Sequence, residues 1–302
     1  MKIAMMGSGG VGGYYGARLA QAGHEVSFIA RGAHAEAIRR NGLRVKSELG
    51  DAHLQHARVF ESPAQAGKVD LVVLAVKLFD TEDAARAIGP MIGPATLAVS
   101  LQNGVDKDEV LSKAVGREHV IGGVTHIGVI IGEPGVIVHT GKLARVTLGE
   151  LDGSRTPRLA QIAGAFEKAG VETIVSDDIR RVTWEKFVFL TALSGLTALT
   201  RKPIGEVRAH PATRAMLLDA LRESSAVARA EGAALPDDFP QKQLQLVDAF
   251  PPAMMASMAH DLLRGRRLEL DWLSGAVVRR ADRHGIATPV HRAIYAALVL
   301  HA

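Results

Sequence analysis

The residues with the clearest chemical meaning lie at the start of the chain. Gly7-Ser8-Gly9-Gly10-Val11-Gly12 fits the pattern G-x-G-x-x-G. The pattern alone is weak, but here an apolar run over 2–6 precedes it, helix spacing over 14–22 follows, and a second apolar strand covers 25–30. That context gives each glycine a distinct role. Gly7 permits the tight turn, Gly9 lets the backbone approach a pyrophosphate, and Gly12 lets the helix pack against the strand. Free N–H groups at the helix start, from Gly10 and Val11 onward, then face phosphate. A dinucleotide with a second-strand carboxylate partner is the usual NAD arrangement. This chain instead reads Ile29-Ala30-Arg31-Gly32, with Arg31 nineteen positions after Gly12. A guanidinium pairs bidentately with a 2′-phosphate, where a carboxylate would repel it, so the pattern points to NADP(H).

A second set of candidates stands downstream. Lys186 sits early in the strongly apolar stretch WEKFVFLTALSGLTAL, among Trp184, Phe187, Phe189 and Leu190. A lysine there is most often one that snorkels from a helix start, and catalysis is the sharper alternative. Ser194 lies two helical turns further on, on roughly the same face. Ser257 begins another helix pattern, and Glu269-Leu270-Asp271 falls in a further one, where Glu269 could equally be an exposed helix carboxylate. His126 and His139 lie near predicted sheet ends. They are read as structural, since no metal-ligand spacing accompanies them, and no metal is expected.

These residues need elements to hold them. Strands are expected at 70–76 (DLVVLAV), 96–101 and 119–124, with helices near 81–88 and 106–115 between them. Aliphatic strands alternating with helices specify a doubly wound parallel sheet, a Rossmann-type α/β domain. Residues 128–151 read as a hairpin-like extension of that sheet, 158–169 as a helix, and 171–175 as a closing strand. Beyond residue 177 strand signals nearly vanish. Amphipathic helix patterns cover 178–199, 210–232, 254–265 and 268–284, broken by Pro203, Pro211, Pro236 and Pro251-Pro252, with Ser176 or Asp177 as the expected first N-cap. The expected division is therefore 1–177, a nucleotide-binding domain, and 178–302, an all-helical domain.

Composition narrows the classes further. A chain of 302 residues with 47% hydrophobic and 23% charged residues suits two globular domains rather than disorder. Cysteine is absent, which excludes disulfides and thiolate catalysis and fits a reducing, cytoplasmic setting. The opening MKIAMMGSGG does not read as a signal peptide, because glycines interrupt its apolar run. No apolar stretch approaches the roughly 20 residues a membrane helix needs. The net charge of +4 is spread thinly. Its densest groups, Arg264-Gly265-Arg266-Arg267 and Arg279-Arg280, are short and lack interleaved aromatics, so neither nucleic acid nor membrane is an expected partner, and an anionic small molecule is.

Taken in order, several segments together resemble the ketopantoate reductase (2-dehydropantoate 2-reductase) family over nearly the whole chain. They are MKIAMMGSGGVGGYYGARLAQAGHEVSFIARG, LAVKLFDT, LQNGV, PGVIVHTG, the Trp184-Glu185-Lys186 helix, SMAHDLLRGRRLELDWLSGAVVR and HGIATPVH. The resemblance implies NADPH-dependent reduction of a 2-oxo acid, ketopantoate, to pantoate for pantothenate and coenzyme A synthesis. It assigns Lys186 as catalytic lysine and general acid, and Glu269 as the acidic residue of the E-h-D motif. It makes Ser257 a substrate-binding serine, places Asn103 beside nicotinamide and substrate and Lys77 at the strand bordering the cofactor, and makes Arg31 the 2′-phosphate arginine. A homodimer is compatible with it.

This chain departs from the family pattern at three positions. Ala256 replaces the first serine of the S-S-M motif, and Leu190 and Ser194 stand where asparagines usually follow the catalytic lysine. Ser194 keeps one hydrogen-bonding group for substrate, whereas Leu190 keeps none, which opens the alternative of another 2-oxo or β-keto acid. The broader β-hydroxyacid dehydrogenases match the HTG, SM and E-L-D pieces less well. A non-catalytic NADP(H) sensor would not need Lys186, Ser257 and Glu269.

Overall fold

The computed structural model describes residues 1–302, which divide into two compact units, Met1–Val182 and Thr183–Ala302. In the first unit the chain runs β1 (Lys2–Met6), α1 (Gly10–Gln21), β2 (Glu25–Ile29), α2 (Gly32–Asn41), β3 (Leu43–Ser47), β4 (Ala52–Leu54) and β5 (Arg58–Phe60). It continues through β6 (Leu71–Leu74), α3 (Thr81–Ala87), β7 (Leu97–Ser100), α4 (Lys107–Val115), β8 (Val120–Glu133), β9 (Val136–Glu150), α5 (Pro157–Lys168) and β10 (Glu172–Val175).

These strands form one mixed sheet of order β4-β3-β9-β8-β7-β6-β1-β2-β5, with β10 paired to β9. The run from β8 through β7, β6, β1 and β2 to β5 is parallel. Its central strands are buried along almost their whole length, as aliphatic runs covered on both faces must be. One face packs on Tyr14, Tyr15, Leu19 and Phe166, the other on Ile88, Met91 and Leu111. The expected Rossmann-type unit is therefore present.

The stretch expected as a separate strand and hairpin is one long antiparallel pair. β8 pairs with β7 at its start and with β9 over its length, with register shifts between Ile127 and Val129 and between Ile131 and Glu133. Those irregularities fall where β9 turns its far end, Val136–His139, to pair with β3. Glu133-Pro134-Gly135 supplies its turn, with Gly135 at φ 81°.

The second unit is helical. α6 (Ile179–Thr200) begins just before the division, and α7 (Ile204–Ala209), α8 (Pro211–Ala230), α9 (Phe239–Asp248), α10 (Ser257–Leu263), α11 (Ser274–Arg283) and α12 (Pro289–Leu298) follow. Several sequence expectations are corrected here. The cap of α6 is Asp178, whose carboxylate accepts the Arg181 N–H at 3.0 Å; Ser176 instead accepts the N–H of Asp178. α9 and α12 lie outside the expected helix patterns, and each carries a proline, Pro240 and Pro289, in its first turn, where proline is tolerated. The expected helix over 268–284 is broken, because Leu273 (φ −107°, ψ −99°) leaves the helical region between a single 3₁₀ turn at Leu270–Trp272 and α11. Glu269 consequently caps that turn and is not inside a helix.

A buried polar chain ties this unit together. Thr191 on α6 meets Ser224 on α8 at 3.1 Å, Ser224 meets His291 Nε2 at 2.7 Å, and His291 Nδ1 meets Ser274 on α11 at 3.3 Å. Glu223 accepts the backbone N–H groups of Val290 and His291 at 2.8 and 3.0 Å. Burial without a compensating anion lowers the pKa of His291 to about 4. Burial raises that of Glu223, although its two backbone hydrogen bonds oppose the shift.

The two groups act in opposite directions on acid stability. A depressed histidine contributes stability that is present above its unfolded pKa of about 6.5 and lost as pH falls toward the folded value, whereas a raised glutamate gains on acidification. The difference between the wild type and His291→Gln isolates the histidine. The wild type should lose roughly 2–4 kcal/mol relative to the variant between pH 7 and pH 4, measured by urea unfolding at each pH. A pH-independent difference would contradict a neutral His291.

Candidate active site

In the first unit, the glycine turn is built by steric exclusion. Gly7 adopts φ 95°, and a Cβ there would lie 2.7 Å from the backbone nitrogen of Val76. A Cβ on Gly12 would lie 1.9 Å from the Gly7 carbonyl oxygen, so β1, the turn and α1 close on one another only with glycine at both ends. At Gly9, in contrast, an added Cβ would meet nothing nearer than Ile131 Cδ1 at 3.9 Å. Gly9 faces open space.

That space is a cavity of about 240 Å³ lined by Gly7, Ser8, Gly9, Arg31, His34, Asp80, Asp83 and Ile131, among others. Of the residues expected to bind a cofactor, Gly7, Ser8, Gly9 and Arg31 are brought together here. Gly10, Val11 and Gly12 form the start of α1 behind them. Ser8 spends its side chain internally, since its hydroxyl and its N–H both donate to the Ile29 carbonyl, at 3.1 and 3.2 Å. Arg31 occupies the N-cap of α2 and is exposed. The helix starts of α1 and α2 and the guanidinium all favour an anion in this cavity. Asp80 and Asp83 oppose them, and Asp83 is paired with Arg86.

Lys77 and Asn103 follow β6 and β7, outside this cavity's lining. Two residues that sequence reading passed over hold their loops. Gln102 donates through Nε2 to the Val76 carbonyl at 2.9 Å and to Thr81 Oγ1 at 2.8 Å, joining the two strand ends. Lys107 is almost fully buried, and its ammonium donates to the carbonyls of Ser100 (3.0 Å) and Gly123 (2.8 Å) and to Asp108 (3.0 Å). Asn103 therefore lies between two anchors. The sequence signal for Lys107 was slight, because a lysine at a helix start normally reads as solvated.

His139 behaves as the structural residue expected of it: it is buried, bonded to Ser47 Oγ and the Leu143 carbonyl, with its ring centroid 4.7 Å from that of Tyr14. His126 is half-buried in β8.

In the second unit, Lys186 is half-buried on α6. The helix around it is fixed by Trp184 packed edge-on to Phe187, with centroids 5.4 Å apart, and by Arg280, which stacks over Trp184 and pairs with Glu231. Glu269 is 6% exposed, a carboxylate held rather than freely solvated. Ser257 is exposed as the first residue of α10. Leu190 is partly buried, whereas Ser194 has no accessible surface and its hydroxyl lacks a hydrogen-bond partner. A ligand would reach Ser194 only if its surroundings opened.

Comparison with known proteins now settles the family. The family model described as ketopantoate reductase PanE/ApbA matches residues 3–153, and that of its C-terminal region matches 178–301. The chain belongs to the ketopantoate reductase family. Among its relatives, a 2-dehydropantoate 2-reductase of Halobacterium salinarum is 34% identical over 97% of this chain and 96% of that protein. An uncharacterized oxidoreductase, YkpB, of Bacillus subtilis is 31% identical over 100% and 99%. A crystal structure of 2-dehydropantoate 2-reductase from Geobacter metallireducens superposes with a TM-score of 0.94 at 34% identity, covering 100% of both chains. Ketopantoate reductases are oxidoreductases, and this chain shares their two-part layout of mixed α/β sheet and helical region. No helix is long and apolar enough to cross a membrane.

The anchoring role of Lys107 is open to direct test. Lys107→Met leaves two buried carbonyls without a charged donor and should lower the unfolding free energy of the first unit by about 2 kcal/mol, measured by denaturant titration. Unchanged stability would show that water or a neighbour replaces the ammonium at no cost.

Proposed function

We propose that the protein is an NADPH-dependent 2-oxo acid reductase acting on ketopantoate. One observation carries the cofactor assignment: a glycine turn whose central position opens onto a cavity shared with Arg31, with no carboxylate at the end of β2 to prefer an unphosphorylated ribose. Gly7, Ser8, Gly9 and the start of α1 would hold the pyrophosphate, Arg31 the 2′-phosphate, and Lys77 and Asn103 the nicotinamide end. When bound, the reduced nicotinamide supplies the hydride that reduces the C2 carbonyl.

The chain's own residues do the rest. Lys186 carries a proton to the carbonyl oxygen as negative charge develops there, the step at which a positioned cation lowers the barrier most. Glu269 keeps that ammonium oriented. Asn103 and Ser257 bind the substrate's carboxylate and hydroxyl, with Ser194 as a further contact. Family membership supports ketopantoate as the substrate, and Leu190 favours a second reading in which another 2-oxo acid is reduced. An apolar side chain in place of an amide suits a substrate with one polar group fewer.

The deciding measurement is NADPH oxidation with ketopantoate beside a panel of 2-oxo acids. Saturable turnover with ketopantoate, and little with NADH, is expected; turnover confined to another acid would transfer the assignment to the second reading. Lys186→Ala should lower kcat by about 10²–10⁴-fold while leaving NADPH affinity nearly unchanged, and near-wild-type turnover in that variant would remove Lys186 from the chemistry. Arg31→Ala should weaken NADPH binding by about 10–100-fold and NADH binding hardly at all, as read from fluorescence titration.

A further inference from the structure

Among the cavity's side chains that the family-based assignment does not use, one is bonded to the glycine turn itself. His34, at the third position of α2, bridges two segments far apart in sequence. Its Nε2 lies 2.8 Å from the Ser8 carbonyl oxygen, and its Nδ1 lies 3.1 Å from the Gly135 nitrogen at the turn between β8 and β9. The partners fix the tautomer. A carbonyl only accepts and a backbone N–H only donates, so His34 carries its proton on Nε2, donates it to Ser8, and accepts from Gly135 at Nδ1.

Both contacts bear on the glycine turn. No peptide in the chain is cis, so across the Ser8–Gly9 bond the carbonyl of Ser8 and the N–H of Gly9 point in opposite directions. Holding the carbonyl on His34 therefore points the Gly9 N–H the opposite way, away from His34. Ser8 is also held by its two hydrogen bonds to the Ile29 carbonyl, so the residue has little freedom left. The Gly135 contact secures the other wall. The hairpin passes directly over the turn: a Cβ on Gly10 would lie 2.9 Å from the Val129 carbonyl oxygen, and Ile131 lines the cavity beside Gly9. The Gly135 carbonyl in turn accepts the Arg44 N–H at 2.9 Å.

We propose that His34 is a positioning residue for dinucleotide binding, a neutral latch that joins the phosphate-binding turn to the β8–β9 hairpin and sets the orientation of the Ser8–Gly9 peptide. The proposal rests on the dinucleotide assignment made above. Because the latch acts on the turn common to both cofactors, it governs affinity for NADPH and NADH alike, whereas Arg31 governs the choice between them.

The test compares two substitutions of similar shape. The amide of His34→Gln offers one donor and one acceptor to the same partners, whereas His34→Met offers neither. Dissociation constants for NADPH and NADH are measured by fluorescence titration, with thermal unfolding in parallel. His34→Met should weaken both dinucleotides about tenfold with their ratio changed less than about twofold, and His34→Gln should recover wild-type affinity to within about threefold. The latch is overturned if the Met variant binds as the wild type does, if Gln binds as weakly as Met, or if only NADPH is affected. Should the Met variant not fold, His34→Gln decides: wild-type affinity with the Gly135 amide still protected from hydrogen exchange supports the latch, and loss of either overturns it. A wild-type protein that bound neither dinucleotide would remove the cofactor assignment itself, an outcome distinct from those.

Discussion

The contact on which the site depends is the closure of α1 onto β1 through Gly7 and Gly12. The spacing leaves no room for a single methyl group, since an added Cβ on Gly12 would sit 1.9 Å from the Gly7 oxygen. Such proximity brings the start of α1 to the carboxyl ends of β1 and β6, the place where an open α/β sheet leaves a crevice. The parallel strands are buried and stiff, so the crevice is shaped by backbone rather than by mobile side chains. Arg31 follows from the same geometry, because β2 ends one strand away at Ile29 and Arg31, two residues on, caps α2 at the cavity's rim.

Much of this was legible in the sequence because it is written in local rules. The glycine turn, the aliphatic strands, the arginine after β2 and the change from strands to helices each follow from short-range spacing. What was not legible depends on long-range partners. His34 pairs with a turn 101 positions away, and nothing in R-G-A-H announces that. Lys107 reads as a solvated helix-start lysine until β7 and β8 bring two carbonyls to it. The helices α9 and α12 are ten residues each and begin with a proline in the first turn, a signal that is easily overlooked in a short segment. Glu269 was given a helix because its neighbours have helical spacing, but Leu273 leaves the helical region and turns the segment into a cap.

The candidate catalytic residues show how the helical unit handles polarity. Lys186 and Glu269 are held on elements whose apolar neighbours are close-packed, Phe187 and Val188 on one side and Leu268 and Leu270 on the other. A few residues along α6 the interior is polar but self-satisfied through Thr191, Ser224, His291 and Ser274. Ser194, like Ser225 and Thr288, departs from this, buried with its hydroxyl unpaired. A hydroxyl left in that condition costs about 1–3 kcal/mol, a cost that a ligand group would relieve if α6 moved enough to admit it. Leu190, one turn nearer Lys186, has no such need. On the proposed assignment, the substitution at 190 bears on which substrate is bound, and Ser194 on how far the surroundings must open.

Charge in the nucleotide cavity points to a division between affinity and choice. Arg31 is exposed, so its pull on a phosphate is screened and is strongest only where the two groups meet in bidentate contact. Asp80 and Asp83 line the same cavity, and Asp83 is already matched by Arg86, which leaves one carboxylate set against one guanidinium. A ligand with an extra phosphate gains the guanidinium and meets the carboxylate; one without it loses both. On the proposed cofactor assignment, the difference between the two ligands is a local contest at Arg31, while the hydrogen bonds common to both would come from backbone N–H groups whose direction the turn determines. On that assignment, a side chain that orients the turn adjusts both affinities together, and the arginine adjusts their ratio.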